Sequence, residues 1–402
     1  MPDHRIPITR PWMDDCEAEA ARRVILSGWV TQGAEVAAFE QAFAEMVGAT
    51  YACAVSSCTT ALHLALRSVG VGPGDEVVTA SHSYVATANA VRYCGAVPVF
   101  ADIEPDGPNL DPERVEASIG PKTKAILCVH QMGLPCDLSR LVQSASRHGL
   151  PLIEDAACAI GSEVRVGSAD FERIGRPHGD IACFSFHPRK LLTTGEGGML
   201  TTRHADLDGR FRRERQHGMS VSDLARHGAS RVIEEQHLSL GYNYRMTDIQ
   251  AAIGRVQLTR LPEILERRRY LAARYLRLLA GLLVEPPCAP EWTRPNWQSF
   301  WVRLPESCDR SELMQKMFDA GIATRRGILC AHREPAYAAE PWLSGAGGLA
   351  MSERAQDRSL LLPLFHQMTE AEQDRVVSAL GAALAAPACR AKNSPRRTGG
   401  AT

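Results

Sequence analysis

From Tyr51 onward the sequence alternates short apolar runs with amphipathic ones, and no other feature constrains the fold as strongly. YACAV, EVVTA, VPVFADI, KAILCVH, PLIEDA, IACFSF and GGMLTT read as strands. Between them, helix-period patterns run through Leu62, Leu66 and Val69, then Ala90 and Tyr93, then Leu138 and Ser146. Regular alternation of this kind predicts an α/β fold with a mainly parallel sheet and helices on both faces. No G-x-G-x-x-G follows any of these strands, which argues against a dinucleotide site.

The other segments fit around that sheet. Residues 15–47 read as two helices broken by SGWVTQG. MTDIQAAIGRVQLTRLPEILERRRYLAARYLRLLAGL reads as two more, separated at Pro262, with Thr247 or Asp248 capping the first. VRVGSADFERIGRPHG reads as a solvated loop, and Arg212, Arg213 and Arg215 as a solvated helix face. After about Pro286 the pattern turns to short strands and amphipathic helices. For 402 residues this suggests a large domain over 1–255, a smaller α+β C-terminal domain over 256–386 and a disordered tail over 387–402.

A formal net charge of −1 gives no general attraction to nucleic acid or anionic membrane. The N-terminus carries charges and prolines where a secretory signal has an apolar run, and no later stretch is long enough to span a bilayer. A cytoplasmic protein is expected. The 12 cysteines include no C-x-x-C pair and no paired Cys/His spacing. They read as buried thiols of a reducing compartment, with no disulfide frame and no metal site.

Five of the 45 basic residues are lysine: Lys122, Lys124, Lys190, Lys316 and Lys392. Arginine neither forms an imine nor loses its proton near neutral pH, so each lysine raises a chemical question. Lys190 lies in CFSFHPRKLLTTGEGG, after a predicted strand and before a glycine-rich run, with Ser185 five residues and His187 three residues upstream. An amine among a hydroxyl, an imidazole and exposed N–H groups suits an aldehyde cofactor that carries a phosphate.

Pyridoxal phosphate needs a phosphate cup, an acid that keeps its ring nitrogen protonated and a partner for its ring face. The cup is predicted in SSCTTALHLALRSVG, where hydroxyls meet a helix N-terminus. The acid is Asp155 in PLIEDAACAIGS, at the C-terminal end of an apolar strand, where parallel sheets present ligands. The ring partner is Tyr84 in SHSYVATANAV, although core packing is the simpler reading of that tyrosine.

These motifs, with GYNYRMTDIQAAIG and SGWVTQGAEVAAFE, resemble in order the DegT/DnrJ/EryC1/StrS family of pyridoxal phosphate-dependent sugar aminotransferases, from about Pro7 to about Val377. The resemblance implies fold type I, with Lys190 as the Schiff-base lysine and proton carrier and Asp155 as partner of the pyridine nitrogen. It implies a phosphate site of Ser57, Cys58, Thr59 and Ser185, and an aromatic contact from Tyr84. Asn243 matches an asparagine sent into the neighbouring subunit's phosphate site, so a homodimer with shared active sites is expected. His187, Arg245 and His332 match positions near the substrate.

Two departures stand out. The family pattern often has Asn-Gly where this chain has Ser57-Cys58, which suggests a bulkier phosphate loop. Three residues after Asp155, a Gln or His that bonds the cofactor's ring oxygen is replaced by Cys158, and a thiol is a weak hydrogen-bond partner.

The implied activity moves an amino group from an amino acid, by resemblance L-glutamate, to a keto sugar linked to a nucleotide, in amino-sugar biosynthesis. Pyridoxamine phosphate is the intermediate form of the cofactor. Alternatives are a keto-cyclitol aminotransferase of antibiotic assembly and a PLP-fold binding or regulatory protein without turnover. Sugar dehydratases of the same fold carry histidine in place of the lysine, and this chain has Lys190.

Overall fold

The computed structural model describes residues 5–167, 170–222, 226–227, 229–385 and 389. Two helices lead in: α1 (Asp15–Ser27), capped by Asp14 in a capping box with Glu17, and α2 (Ala34–Val47). Strands β1 (Tyr51–Val55), β2 (Glu76–Ala80), β3 (Val97–Ala101), β4 (Thr123–Val129) and β5 (Leu152–Asp155) follow. They alternate with α3 (Cys58–Ser68), α4 (Val85–Tyr93), α5 (Pro112–Ala117) and α6 (Leu138–His148). After two short strands, β6 (Glu163–Val164) and β7 (Glu172–Arg173), come β8 (Ile181–Ser185), β9 (Gly198–Thr202) and α7 (Ala205–Glu214).

The main sheet has the order β1-β9-β8-β5-β4-β2-β3-β13, where β13 is Leu343–Ser344. Its pairs are parallel except those that β9 makes with β1 and β8, so β9 alone runs against the rest. Successive side chains of a strand point to opposite faces, and both faces are apolar. Ala52, Ala54, Val78 and Ile126 pack with Phe39 and Phe43 of α2. Cys53, Val55, Val77 and Leu127 pack with Leu62 of α3 and Phe211 of α7. Burial on both sides explains why the strands read as unbroken apolar runs.

The long helix α8 (Asp248–Leu278) corrects one sequence expectation: Pro262 does not divide it. Pro262 is exposed, while Leu261, Ile264 and Leu265 pack into the sheet's core and Leu271, Ala272 and Tyr275 into a second one. Packing along both halves outweighs the ladder hydrogen bond that proline cannot make. Thr247 caps the helix through a box with Gln250.

The second core is built by a three-stranded antiparallel sheet, β11 (Phe300–Arg303), β14 (Ser359–Leu362) and β12 (Arg325–Arg326), with α9 (Arg310–Asp319) and α11 (Glu370–Leu384). Between β13 and β14 lies α10 (Ala350–Arg358).

Three further expectations change. Arg212 and Arg215 are not a solvated face: both bond Glu40 of α2, and they donate to the Ala52 and Ala54 carbonyls respectively. A buried carboxylate at position 40 needs two cations, and the end of α7 supplies them. The segment read as a loop before β8 contains β6 and β7, which pair with each other and, through β6, with β10 (Thr293–Arg294). Cys308 and Cys389 form a disulfide, across a sequence separation that gives no local signal. The predicted tail beyond 387 lies, apart from Cys389, outside the described residues. Among the described residues no helix is long and apolar enough to cross a membrane.

Candidate active site

The C-terminal ends of β5 and β8 and the N-terminus of α3 converge on Lys190. The lysine follows β8 in a turn closed by its own N–H donating to the His187 carbonyl at 2.8 Å. Its Nζ donates to Cys158 Sγ at 3.0 Å. Burial opposes a charge on this amine, but Cys158, Cys58 and Asp155 around it raise its pKa above the ordinary lysine value.

Asp155, the last residue of β5, is 4% exposed. Burial pushes its carboxyl above the usual range, while hydrogen bonds from Thr87 Oγ1 at 2.8 Å and the Ala157 N–H at 3.1 Å, together with Lys190, pull the other way. Thr87 Oγ1 also lies 2.7 Å from Ser83 Oγ, so two hydroxyls stand in line behind the acid. On the other side, the His130 N–H donates to the Asp155 carbonyl, and His130 Nε2 lies 3.1 Å from Glu154 Oε2. His130 Nδ1 accepts from the Cys136 N–H at 3.0 Å, which leaves the ring proton on Nε2, facing Glu154.

At the start of α3, Ser57 Oγ accepts from the Thr60 N–H at 3.2 Å and Thr60 Oγ1 accepts from the Ser57 N–H at 3.1 Å. The first N–H groups of a helix have no partner within it, and here they belong to Cys58 and Thr59. Gly198, opposite Ser185 in the β8–β9 pair, packs directly on this turn: a Cβ on it would lie 2.5 Å from the Ser57 carbonyl carbon and oxygen. Cys58 does not crowd the turn as its bulk suggested. Its thiol is buried in the core and donates to the Cys183 carbonyl at 3.6 Å, and burial pushes its pKa well up.

The remaining predicted residues have other surroundings. Tyr84 is not packed in the core; it precedes α4 and is 63% exposed, so its ring face is accessible. His187 Nδ1 accepts from the Arg189 N–H at 3.2 Å, and burial lowers the imidazole's pKa. His332 sits at the end of β2, with Nδ1 2.6 Å from Ser81 Oγ and Nε2 3.1 Å from Glu353 Oε1. Asn243 is exposed and bridges Gln216, and Arg245 bridges Val55, on the strand that leads into α3. Among the described contacts, none joins Asn243 or His332 to Lys190, Cys158 or Asp155.

Sequence reading missed Thr87, Asn296 and Gln298. Thr87 had a signal, since it lies three residues after Tyr84 at the start of a helix. Asn296 and Gln298 had none, because they enter from the far end of the chain.

These residues fit pyridoxal phosphate. A buried carboxylate stands where a cationic ring nitrogen would offset its desolvation, a helix N-terminus faces a lysine-bearing turn, and Gly198 allows the close approach between them.

A model of the DegT/DnrJ/EryC1/StrS aminotransferase family matches residues 11–381. The aminotransferase TlmJ of Streptoalloteichus hindustanus is 34% identical, with a TM-score of 0.86 over 95% of this chain and 99% of its own. DesV of S. venezuelae is 36% identical, with a TM-score of 0.83 over 94% and 98%. The PLP form of Spr1654 from Streptococcus pneumoniae is 26% identical, with a TM-score of 0.85 over 94% and 98%. With a match over most of its length and a mainly parallel sheet of fold type I, the chain belongs to the DegT/DnrJ/EryC1/StrS family and is a pyridoxal phosphate-dependent aminotransferase.

Proposed function

We propose that this aminotransferase moves an amino group from L-glutamate to a keto sugar carried on a nucleotide, in amino-sugar biosynthesis, and that it works as a homodimer. The observation that carries the reading is the Lys190 amine, held at the sheet's C-terminal edge 3.0 Å from Cys158 Sγ with Asp155 among its charged neighbours.

Bound pyridoxal phosphate supplies an electron sink for the pair left on the donor's α-carbon when its proton departs. Lys190 would anchor the cofactor through its Nζ and, once freed, would take up and return the proton of the donor's α-carbon. Asp155, braced by Thr87, keeps the ring nitrogen protonated. Ser57, Thr59 and Ser185, with the N–H groups of Cys58 and Thr59, hold the phosphate. Tyr84 would meet the ring face and Cys158 the ring oxygen. Asn243 completes the phosphate site of the partner subunit. His187, Arg245 and His332 meet the substrates. The same reading assigns cofactor binding to residues 1–255 and makes 256–386 a smaller C-terminal domain.

The test is the visible spectrum of the protein with pyridoxal phosphate, before and after L-glutamate, beside Lys190→Ala. The wild type should develop an absorbance band that glutamate removes, and Lys190→Ala should show none and lose at least about 10³-fold in rate. A panel of nucleotide-linked keto sugars and keto-cyclitols then reads out the acceptor. Bound cofactor indifferent to glutamate and other amino donors would sink the proposal, as would turnover of cyclitols alone.

A further inference from the structure

The Lys190–Cys158 contact is held from a distance. The segment Asn296–Trp297–Gln298, just before β11, reaches back to the main chain on both sides of it. Asn296 is fully buried, and its Nδ2 donates to the carbonyls of Cys158 and Ile160, each at 2.8 Å. Its Oδ1 accepts from the Gln298 N–H at 2.8 Å, and its own N–H donates to Ser162 Oγ at 3.0 Å. Gln298 is 9% exposed, and its Nε2 donates to the carbonyl of Arg189, the residue before Lys190, at 2.6 Å. A carbonyl accepts only, which fixes which end of the Gln298 amide faces it.

The segment is itself anchored. Trp297 has φ of 55°, in the left-handed region that a tryptophan rarely adopts. Such a conformation persists where its surroundings over-determine it, and here Arg268 of α8 does so. Its guanidinium donates to the carbonyls of Trp297, Gln298 and Leu364. Burial draws Arg268 down to about 9, which leaves it charged at neutral pH. A continuous set of hydrogen bonds thus runs from the long helix, through a strained turn, to the main chain that carries both the amine and the thiol.

We propose that Asn296 and Gln298 are positioning residues, which set where the Lys190 amine sits relative to Cys158 by holding the carbonyls of Cys158 and Arg189. Neither side chain needs to touch substrate. The inference rests on Lys190 as the reactive amine and adds what aims it.

The test is Gln298→Met, which keeps the length and removes the donor. With 13C-labelled lysine, the cofactor-free protein yields the pH titration of each of the five lysines, Lys190 being identified by its loss in Lys190→Ala. Released from the Arg189 anchor, the half-buried amine moves off Cys158, the first of the groups that raise its pKa. Its midpoint should therefore fall by about half a pH unit or more, with the other lysines unmoved. In the loaded enzyme kcat should fall about tenfold while KM for both substrates stays within about twofold, the pattern of a group that aims rather than binds.

An unmoved Lys190 midpoint in folded Gln298→Met overturns the proposal, whether or not kcat changes. If that variant does not fold, Gln298→Asn, too short to reach the Arg189 carbonyl, is titrated in the same way. Failure of the underlying reading looks different. The wild type would then show no Lys190-dependent absorbance with pyridoxal phosphate, while the titrations made without cofactor would still decide the role of Gln298.

Discussion

A carboxylate as buried as Asp155 stays charged only if its neighbours hold it so. Thr87 is the side chain that donates to it, from one turn into α4. A hydrogen bond to a charged group is worth about 1.5–3 kcal/mol, so Thr87→Val should lower kcat/KM by about ten- to a hundredfold and raise the carboxyl's pKa further. Kinetics across pH check this; an unchanged profile would remove Thr87 from the site. Lys190 and Asp155 were legible in the sequence because each combines a reactive type with a position at a strand end. Thr87 was missed despite its place three residues after Tyr84, since a threonine inside an apolar helix pattern has the same appearance whether it faces a core or an acid. Cys58 was misjudged for a related reason: the sequence states its size, but only the packing shows that its side chain turns away from the helix terminus.

Among the elements, the α3–β9 junction leaves no room for a side chain. Gly198→Ala would drive a methyl into the backbone of Ser57 and Cys58, where overpacking costs about 1–3 kcal/mol. Weakened pyridoxal phosphate affinity and a lower Tm are expected together; unchanged binding would show that the turn yields. The long helix invites the opposite change. Pro262 is exposed and forfeits a ladder bond, so Pro262→Ala should stabilise by about 1–2 kcal/mol, the helix gain less the freedom returned to the unfolded chain. Urea denaturation measures it, and a loss of stability would mean that the helix needs its proline. Local patterns disclosed the βα alternation because both faces of the sheet are buried. They failed at Pro262 and at Arg212 and Arg215, where partners distant in sequence, the two cores and Glu40, override the local rule.

For the molecule as a whole, pH is the revealing variable. Burial lowers His63, His82 and His366 each to about 4 from an ordinary 6.5. The unfolded chain therefore binds protons that the folded one refuses, and stability is lost as pH falls from about 6.5 toward 4, by up to about 1.4 kcal/mol per unit for each histidine. Unfolding free energies should therefore fall as pH drops below about 6.5, and a flat acid limb would refute the account. A change of pattern near Pro286 was visible in the sequence, whereas the tie from Asn296 and Gln298 to Lys190 was not, because nothing local marks a contact between residues so far apart. The same separation governs β13, which pairs with β3 at the margin of the main sheet. A ribosome delivers β3 early and β13 late, so throughout the intervening synthesis the nascent chain carries an unpaired strand edge, a template for wrong pairing. Until Ser344 emerges the β3 edge has no cover from its own chain, so any shielding of it in that interval falls to a chaperone.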